Sequence, residues 1–293
     1  MSLRTHVVGL IAATALLAAE SAAAGTITHH SFPSATLGRD YAYNVYLPDG
    51  YETSGFSYPA LYLLHGSFGN ENDWPVKGEL QATADRLIEE GRIPPAVIVM
   101  PGALSWWVDG ANEKAETAFF EDLIPHVEAT WRVIPEREGR VIAGLSAGGY
   151  GTVNFVLKHP GMFAAGAALS PASYVPQPPA HSSGMRHPAY LKADGTYDPA
   201  MWEKLNYPQY IDAYKAQDIV VPLYINSGDH DTFDIAYHGA VLYQALREHQ
   251  PDKVEFRVID GDHEWPVWIE TLPEAMTYVF GYASRPLGKT PTH

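Results

Sequence analysis

From residue 40 onward, short apolar runs alternate with helical patterns, and this alternation constrains the fold more than any other feature of the chain. Ala60–His65, Pro95–Met100, Arg140–Leu145, Phe163–Leu169, Ile219–Asn226 and Val254–Ile259 read as strands, preceded by the Tyr- and Val-rich stretch Asp40–Leu47. Between them, Leu80–Glu90, Glu116–Trp131, Ala147–Lys158, Asp234–His249 and Trp265–Phe280 carry helical patterns. Strands this poor in polar residues need cover on both faces, and helices of roughly 10–16 residues supply it. The expectation is an α/β domain with a mainly parallel central sheet and helices on both faces. Pro125 should kink or split the pattern Glu116–Trp131, because proline lacks a backbone donor and clashes with the preceding turn.

One region breaks the rhythm. Pro171 to Gln217 contains Pro176-Gln-Pro-Pro179, Ser182-Ser-Gly184, several Tyr and Trp202. It reads as an insertion over the C-terminal edge of the sheet, where open α/β sheets bind ligands. As a cap it would only pack; as a lid or wall it would meet substrate.

Charge and cysteine content narrow the chemistry. The 34 acidic against 19 basic residues leave a net charge of −15, a field that opposes nucleic acid as a partner. With no cysteine in the chain, thiol nucleophiles, Cys-ligated zinc, iron–sulfur clusters and disulfides are excluded. Arg4, the uncharged run Val7–Ala19 and the small residues Ser21-Ala-Ala-Ala24 form the pattern of a secretory signal peptide. That run falls short of the roughly 20 apolar residues needed to span a bilayer. The expected mature protein is residues 25–293, a single domain exported to the periplasm or the medium without a stable membrane anchor. Oligomeric state leaves no mark on the sequence.

The chemistry centres on Gly144-Leu145-Ser146-Ala147-Gly148, placed between a strand and a helix. A serine on so tight a turn has a strained backbone, so the residues two before and two after it must be small. The turn lifts Oγ clear of the sheet and sets the Ala147 amide at a helix N-terminus, aimed at developing negative charge. A second strand runs into His65-Gly66, where the chain can turn backbone N–H groups inward; Ser67 N–H is the expected second oxyanion donor. His65 itself reads as a brace for that loop.

A serine hydroxyl needs a base, and the base needs a carboxylate to fix its tautomer. Ser227-Gly-Asp-His-Asp-Thr-Phe-Asp234 follows one late strand and offers Asp229, Asp231 and Asp234. His263, in Gly261-Asp-His-Glu-Trp265, follows the last strand. The chain order is then Ser, Asp, His. Turn chemistry competes for Asp229 and helix capping for Asp234. The run Asp229-His230-Asp231 lacks the spacing of a catalytic metal site, and no metal or cofactor is expected.

These residues resemble the esterase D-like α/β-hydrolases, which include feruloyl and acetylxylan esterases, S-formylglutathione hydrolases, siderophore esterases and mycolyltransferases. The resemblance runs from about Tyr43 to Trp268 through Tyr46-Leu-Pro-Asp-Gly-Tyr51, Tyr58-Pro-Ala-Leu-Tyr-Leu-Leu-His-Gly66, Asp73-Trp74, Leu123-Ile-Pro125, Gly144-Leu-Ser-Ala-Gly-Gly149, His159-Pro160, Gly228-x-x-Asp231 and His263-x-Trp265. It implies an α/β-hydrolase fold with Ser146 as nucleophile, Asp231 as acid, His263 as base and the amides of Ser67 and Ala147 as oxyanion hole. Asp231 fits the family spacing and is free of turn and cap duties. Ser105-Trp-Trp-Val-Asp109 is similar to an aromatic loop beside the acyl site of some members, which makes Trp106 and Trp107 substrate-binding candidates, one facing the core and the other the site. The long insertion departs from the family. So does the missing cysteine that cytosolic formylglutathione hydrolases commonly carry.

The implied function is a secreted serine carboxylic-ester hydrolase acting through an acyl-enzyme, on small-molecule or polysaccharide-linked feruloyl or acetyl esters of plant origin. The same triad would serve an acyltransferase of the mycolyltransferase type. A non-catalytic binding protein on the hydrolase scaffold is the reading from another class.

Overall fold

The computed structural model describes residues 24–288. The expected leader therefore lies outside the described residues, except for Ala24. One eight-stranded sheet runs through the molecule, with strands in the order β1-β2-β4-β3-β5-β6-β7-β8. β1 (Thr26–Ser34) pairs antiparallel with β2 (Arg39–Leu47), and β2 pairs antiparallel with β4 (Val97–Pro101). From β4 onward every pairing is parallel, through β3 (Ala60–Leu64), β5 (Arg140–Leu145), β6 (Ala165–Leu169), β7 (Leu223–Gly228) and β8 (Val254–Ile259). This is the mainly parallel sheet that the alternation predicts, in the α/β-hydrolase fold that the resemblance implies.

The apolar runs are explained by burial on both sides. Along β3, Ala60, Tyr62 and Leu64 enter one core while Leu61 and Leu63 enter the other, as the two-residue strand period requires. Helices Ile124–Thr130, Ala147–Lys158 and Ile235–Arg247 cover the first face. Leu80–Glu89 and Trp265–Phe280 cover the second, with Leu80, Ala84, Leu87, Leu272 and Met276 packed inward. Each fully buried Leu, Val or Phe contributes about 1.5–3 kcal/mol. No helix among the described residues is long and apolar enough to cross a membrane.

The pattern Glu116–Trp131 is split, as Pro125 requires. Helix Ala115–Ala118 passes into a π-helical turn, Phe119–Leu123, before Ile124–Thr130 begins. Pro125 thereby falls in the first turn of the last helix, where its missing N–H leaves no bond unmade. The insertion is ordered rather than irregular. It holds helices Pro199–Leu205 and Ile211–Lys215 and builds a third apolar cluster, in which Tyr174, Tyr190 and Trp202 pack on Trp106 and Tyr150. Leu205 C=O accepts from Tyr150 Oη at 2.5 Å and Asn154 Nδ2 at 3.0 Å, which ties the insertion to helix Ala147–Lys158.

Candidate active site

Ser146 is the single residue between the end of β5 and helix Ala147–Lys158, with φ 54° and ψ −115°. A positive φ in a residue with a Cβ costs on the order of 1–3 kcal/mol and persists only where the surroundings hold it. They do: Ser146 N–H donates to Leu169 C=O at 2.8 Å, and its own C=O accepts from Tyr150 N–H at 2.9 Å and Ala172 N–H at 3.0 Å. The small residues on either side are required by contact. A Cβ on Gly144 would lie 2.5 Å from Gly148 backbone, and one on Gly148 would lie 2.5 Å from Leu64 C=O.

Four strand ends converge here. His263 stands between β8 and helix Trp265–Phe280, with Nε2 2.8 Å from Ser146 Oγ and Nδ1 2.8 Å from Asp231 Oδ2. A carboxylate only accepts, so Nδ1 carries the proton and Nε2 is left to accept from the serine hydroxyl. Asp231, in the loop after β7, is nearly buried and also accepts Phe233 N–H on Oδ1 at 2.9 Å. The imidazole is held edge-on against Phe233 and Trp268, at centroid distances of 4.9 and 5.1 Å. Asp262, which the sequence reading missed, clamps both loops: its Oδ1 accepts His263 N–H at 2.7 Å and Thr232 N–H at 2.6 Å. Those two amides hold its carboxyl below the usual carboxylate range.

The remaining donors come from the loop after β3 and from the start of helix Ala147–Lys158. Neither Ser67 N–H nor Ala147 N–H has an acceptor among the described residues. The Gly66–Ser67 segment runs beside the serine, since a Cβ on Gly66 would lie 3.5 Å from Ser146 Cβ. His65 braces this loop. Its Nε2 accepts Ala103 N–H at 3.0 Å, so Nδ1 carries the hydrogen and donates to Gly66 C=O at 2.7 Å. Burial pushes its pKa down and keeps it neutral, against the upward pull of the Gly66 carbonyl.

A cleft of about 280 Å³ opens over Ser146 and His263. Its lining is largely aromatic: Phe68, which is exposed and has a φ of 57°, lines it together with Phe233, Trp265 and Trp268, and the insertion adds Tyr174 and Ser183. The insertion is thus a packed cap that also lines the cleft. Trp106 and Trp107 are corrected by the structure, because both are buried and neither lines the cleft. Trp107 belongs to the main core and donates its indole N–H to His65 C=O at 3.1 Å; Trp106 lies in the insertion's cluster. Apolar area and a single indole donor were both satisfied inside, so neither ring remained for a ligand.

The neighbouring aspartates have other duties. Asp229 Oδ1 accepts Gly261 N–H at 3.1 Å, bridging to the next loop rather than closing its own turn. Asp234 occupies the N-cap of helix Ile235–Arg247, but at φ 57° its carboxylate makes no capping bond. Asp229, His230 and Asp260 form the one His/acid group among the described residues with ligand atoms within 4.8 Å; all three are exposed. None of the three lines the cleft, and His230 is paired to Asp229 at 2.7 Å.

The chain is similar to known esterases. The esterase family model, described as "Putative esterase", matches residues 34–279. An endo-1,4-beta-xylanase/feruloyl esterase of Xylanibacter ruminicola is 34% identical over 163 residues, 52% of this chain and 22% of the relative. An esterase of Mycobacterium tuberculosis is 35% identical over 153 residues, 50% of this chain and 32% of the relative. In both cases the aligned stretch is a minor part of the relative's length. A solved ferulic acid esterase superposes with a TM-score of 0.75 at 28% identity, covering 88% of this chain and 98% of that one.

Proposed function

Since the chain belongs to the esterase family, whose model spans residues 34–279, we propose that it is a serine carboxylic-ester hydrolase working through an acyl-enzyme. The observation that carries this reading is the unbroken run of 2.8 Å hydrogen bonds from Ser146 through His263 to Asp231, with two unpaired amides beside the serine. Neutral His263 takes the Ser146 proton on Nε2 as Oγ attacks the ester carbonyl. Asp231 holds the Nδ1 proton and stabilises the imidazolium. The oxyanion is received by Ser67 N–H and Ala147 N–H, fixed donors that need no reorganisation as charge develops. The imidazolium then protonates the leaving alcohol, and water repeats the cycle to release the acid.

Hydroxycinnamoyl esters are the substrate class we favour. Phe68, Phe233 and Trp265 line the cleft beside the serine, an aromatic lining that suits a flat aromatic acyl group, and the relatives named above include feruloyl esterases. Export is part of the proposal, supported by Arg4, the run Val7–Ala19 and the small residues before Gly25. Purified protein assayed on methyl hydroxycinnamates and p-nitrophenyl esters should hydrolyse both, with the hydroxycinnamates preferred in kcat/KM. Failure to cleave any ester would overturn the reading.

A further inference from the structure

We propose that the side-chain hydroxyl of Ser67 is a third oxyanion donor beside the two backbone amides, aimed by Trp106. This rests on the serine-esterase reading above. Trp106 Nε1–H lies 2.8 Å from Ser67 Oγ. An indole nitrogen can only donate, so Ser67 Oγ is the acceptor in that bond. A hydroxyl that accepts from one side turns its own hydrogen elsewhere, and that hydrogen finds no acceptor among the described residues. Ser67 lines the same cleft as Ser146 and His263, so the open direction includes the space where an ester oxygen would sit.

Trp106 is well placed to fix this geometry. Its ring is fully enclosed, edge-on to Tyr150, Tyr190 and Trp202 at centroid distances of 5.8, 5.6 and 6.1 Å. A Cβ on Gly184 of the insertion would stand only 3.1 Å from the far edge of the indole. The donor has no room to swing. On the other side of Ser67, the exposed Phe68 ring lies 4.8 Å from His187, which also belongs to the insertion. The insertion therefore grips the oxyanion loop at two consecutive residues, once through the Trp106 indole and once through the Phe68 ring. A donor held rigid beside the reacting carbonyl is the arrangement that favours a developing oxyanion over the neutral ester carbonyl.

The competing role for Ser67 is a plain anchor that ties its loop to Trp106. The two roles separate when the hydroxyl and the indole N–H are removed one at a time. Ser67→Ala keeps the backbone N–H and loses the hydroxyl; Trp106→Phe keeps an aromatic ring and loses the N–H; Ser67→Thr keeps a hydroxyl. The third-donor role predicts that Ser67→Ala lowers kcat by about 10²-fold, the scale for loss of one oxyanion donor, with KM changed less than about threefold. Trp106→Phe should cost clearly less, because the hydroxyl remains, and should add almost nothing in the Ser67→Ala background. Ser67→Thr should restore most of the rate. A trifluoromethyl ketone, whose Ser146 adduct carries an oxyanion, should lose affinity for Ser67→Ala by a factor close to the loss in kcat/KM.

The proposal is overturned if Ser67→Ala retains kcat within about twofold of wild type, far inside the cost of a lost donor. It is also overturned if Ser67→Ala and Trp106→Phe lose equal activity while their melting temperatures fall together, the signature of an anchor. A wild-type protein that no fluorophosphonate labels would bring down the serine-esterase reading, and this proposal with it. Labelling of Ser146 together with a fully active Ser67→Ala would sink this proposal alone.

Discussion

The imidazole Nδ1 of His263 lies 2.8 Å from Asp231 Oδ2, while Asp229, two residues earlier in the same loop, turns its carboxylate to Gly261 N–H. The loop after β7 thus separates two acids that look alike in sequence. Asp231→Asn should present an amide N–H to Nδ1, favour the wrong imidazole tautomer and lower kcat by about 10²–10⁴ with little change in fold. Asp229→Asn should leave kcat within a few-fold. Steady-state kinetics on the two purified variants checks this; a large loss in Asp229→Asn alone would reverse the assignment.

Aromatic substitutions should sort by which rings reach the cleft. Trp107 is fully buried in the main core, and truncation of such a side chain costs about 3–5 kcal/mol. Trp107→Ala should therefore unfold at much lower denaturant or fail to accumulate. Phe233 lines the cleft and is only partly buried, so Phe233→Ala should fold and raise KM for hydroxycinnamate esters more than for p-nitrophenyl acetate. Equal KM changes for the two esters would argue that Phe233 merely packs against His263.

Acid should weaken the fold through buried neutral histidines. His187 is 2% exposed, and burial pushes its pKa down from 6.5 to about 4. Its folded-state pKa lies below its unfolded one, so the unfolded chain takes up the proton first. Its contribution is intact above pH 6.5, is lost as pH falls through that window and levels off below about pH 4. Urea midpoints should fall between pH 7 and pH 4.5, and His187→Asn, which keeps an acceptor for Ala189 N–H, should make the fall shallower. Identical pH slopes for wild type and variant would contradict this.

How much of this was legible in the chain follows from physical scale. β3 and, after Arg140, β5 are apolar because both faces are covered, which accounts for Ala60–Leu64 and Val141–Leu145. Ser146 was legible because its turn demands Gly144 and Gly148 by contact. β1 was not. It is an edge strand, half-exposed, with His29, His30 and Pro33 within it, and it lacks the apolar signal of a central strand. Helix Pro199–Leu205 of the insertion was hidden by a proline that proves to sit in its first turn. Asp234 occupies the cap position the sequence suggested, yet its left-handed backbone turns the carboxylate away, and residue type does not encode that. For Trp106 and Trp107, adjacency predicted opposite faces; it could not say that both neighbourhoods were interior. Asp262 was passed over because an acid whose role is to accept two backbone amides carries no spacing motif.

The central claim is that Ser146 is the nucleophile, and mass spectrometry of the covalent intermediate tests it most directly. Wild-type protein treated with a fluorophosphonate, or quenched during turnover of a hydroxycinnamate ester, should carry one adduct on the peptide containing Ser146. Ser146→Ala should carry none, while folding normally and losing all but a trace of activity, since loss of a triad member costs several orders of magnitude. An adduct on another residue, or Ser146→Ala activity within about tenfold of wild type, would contradict the account.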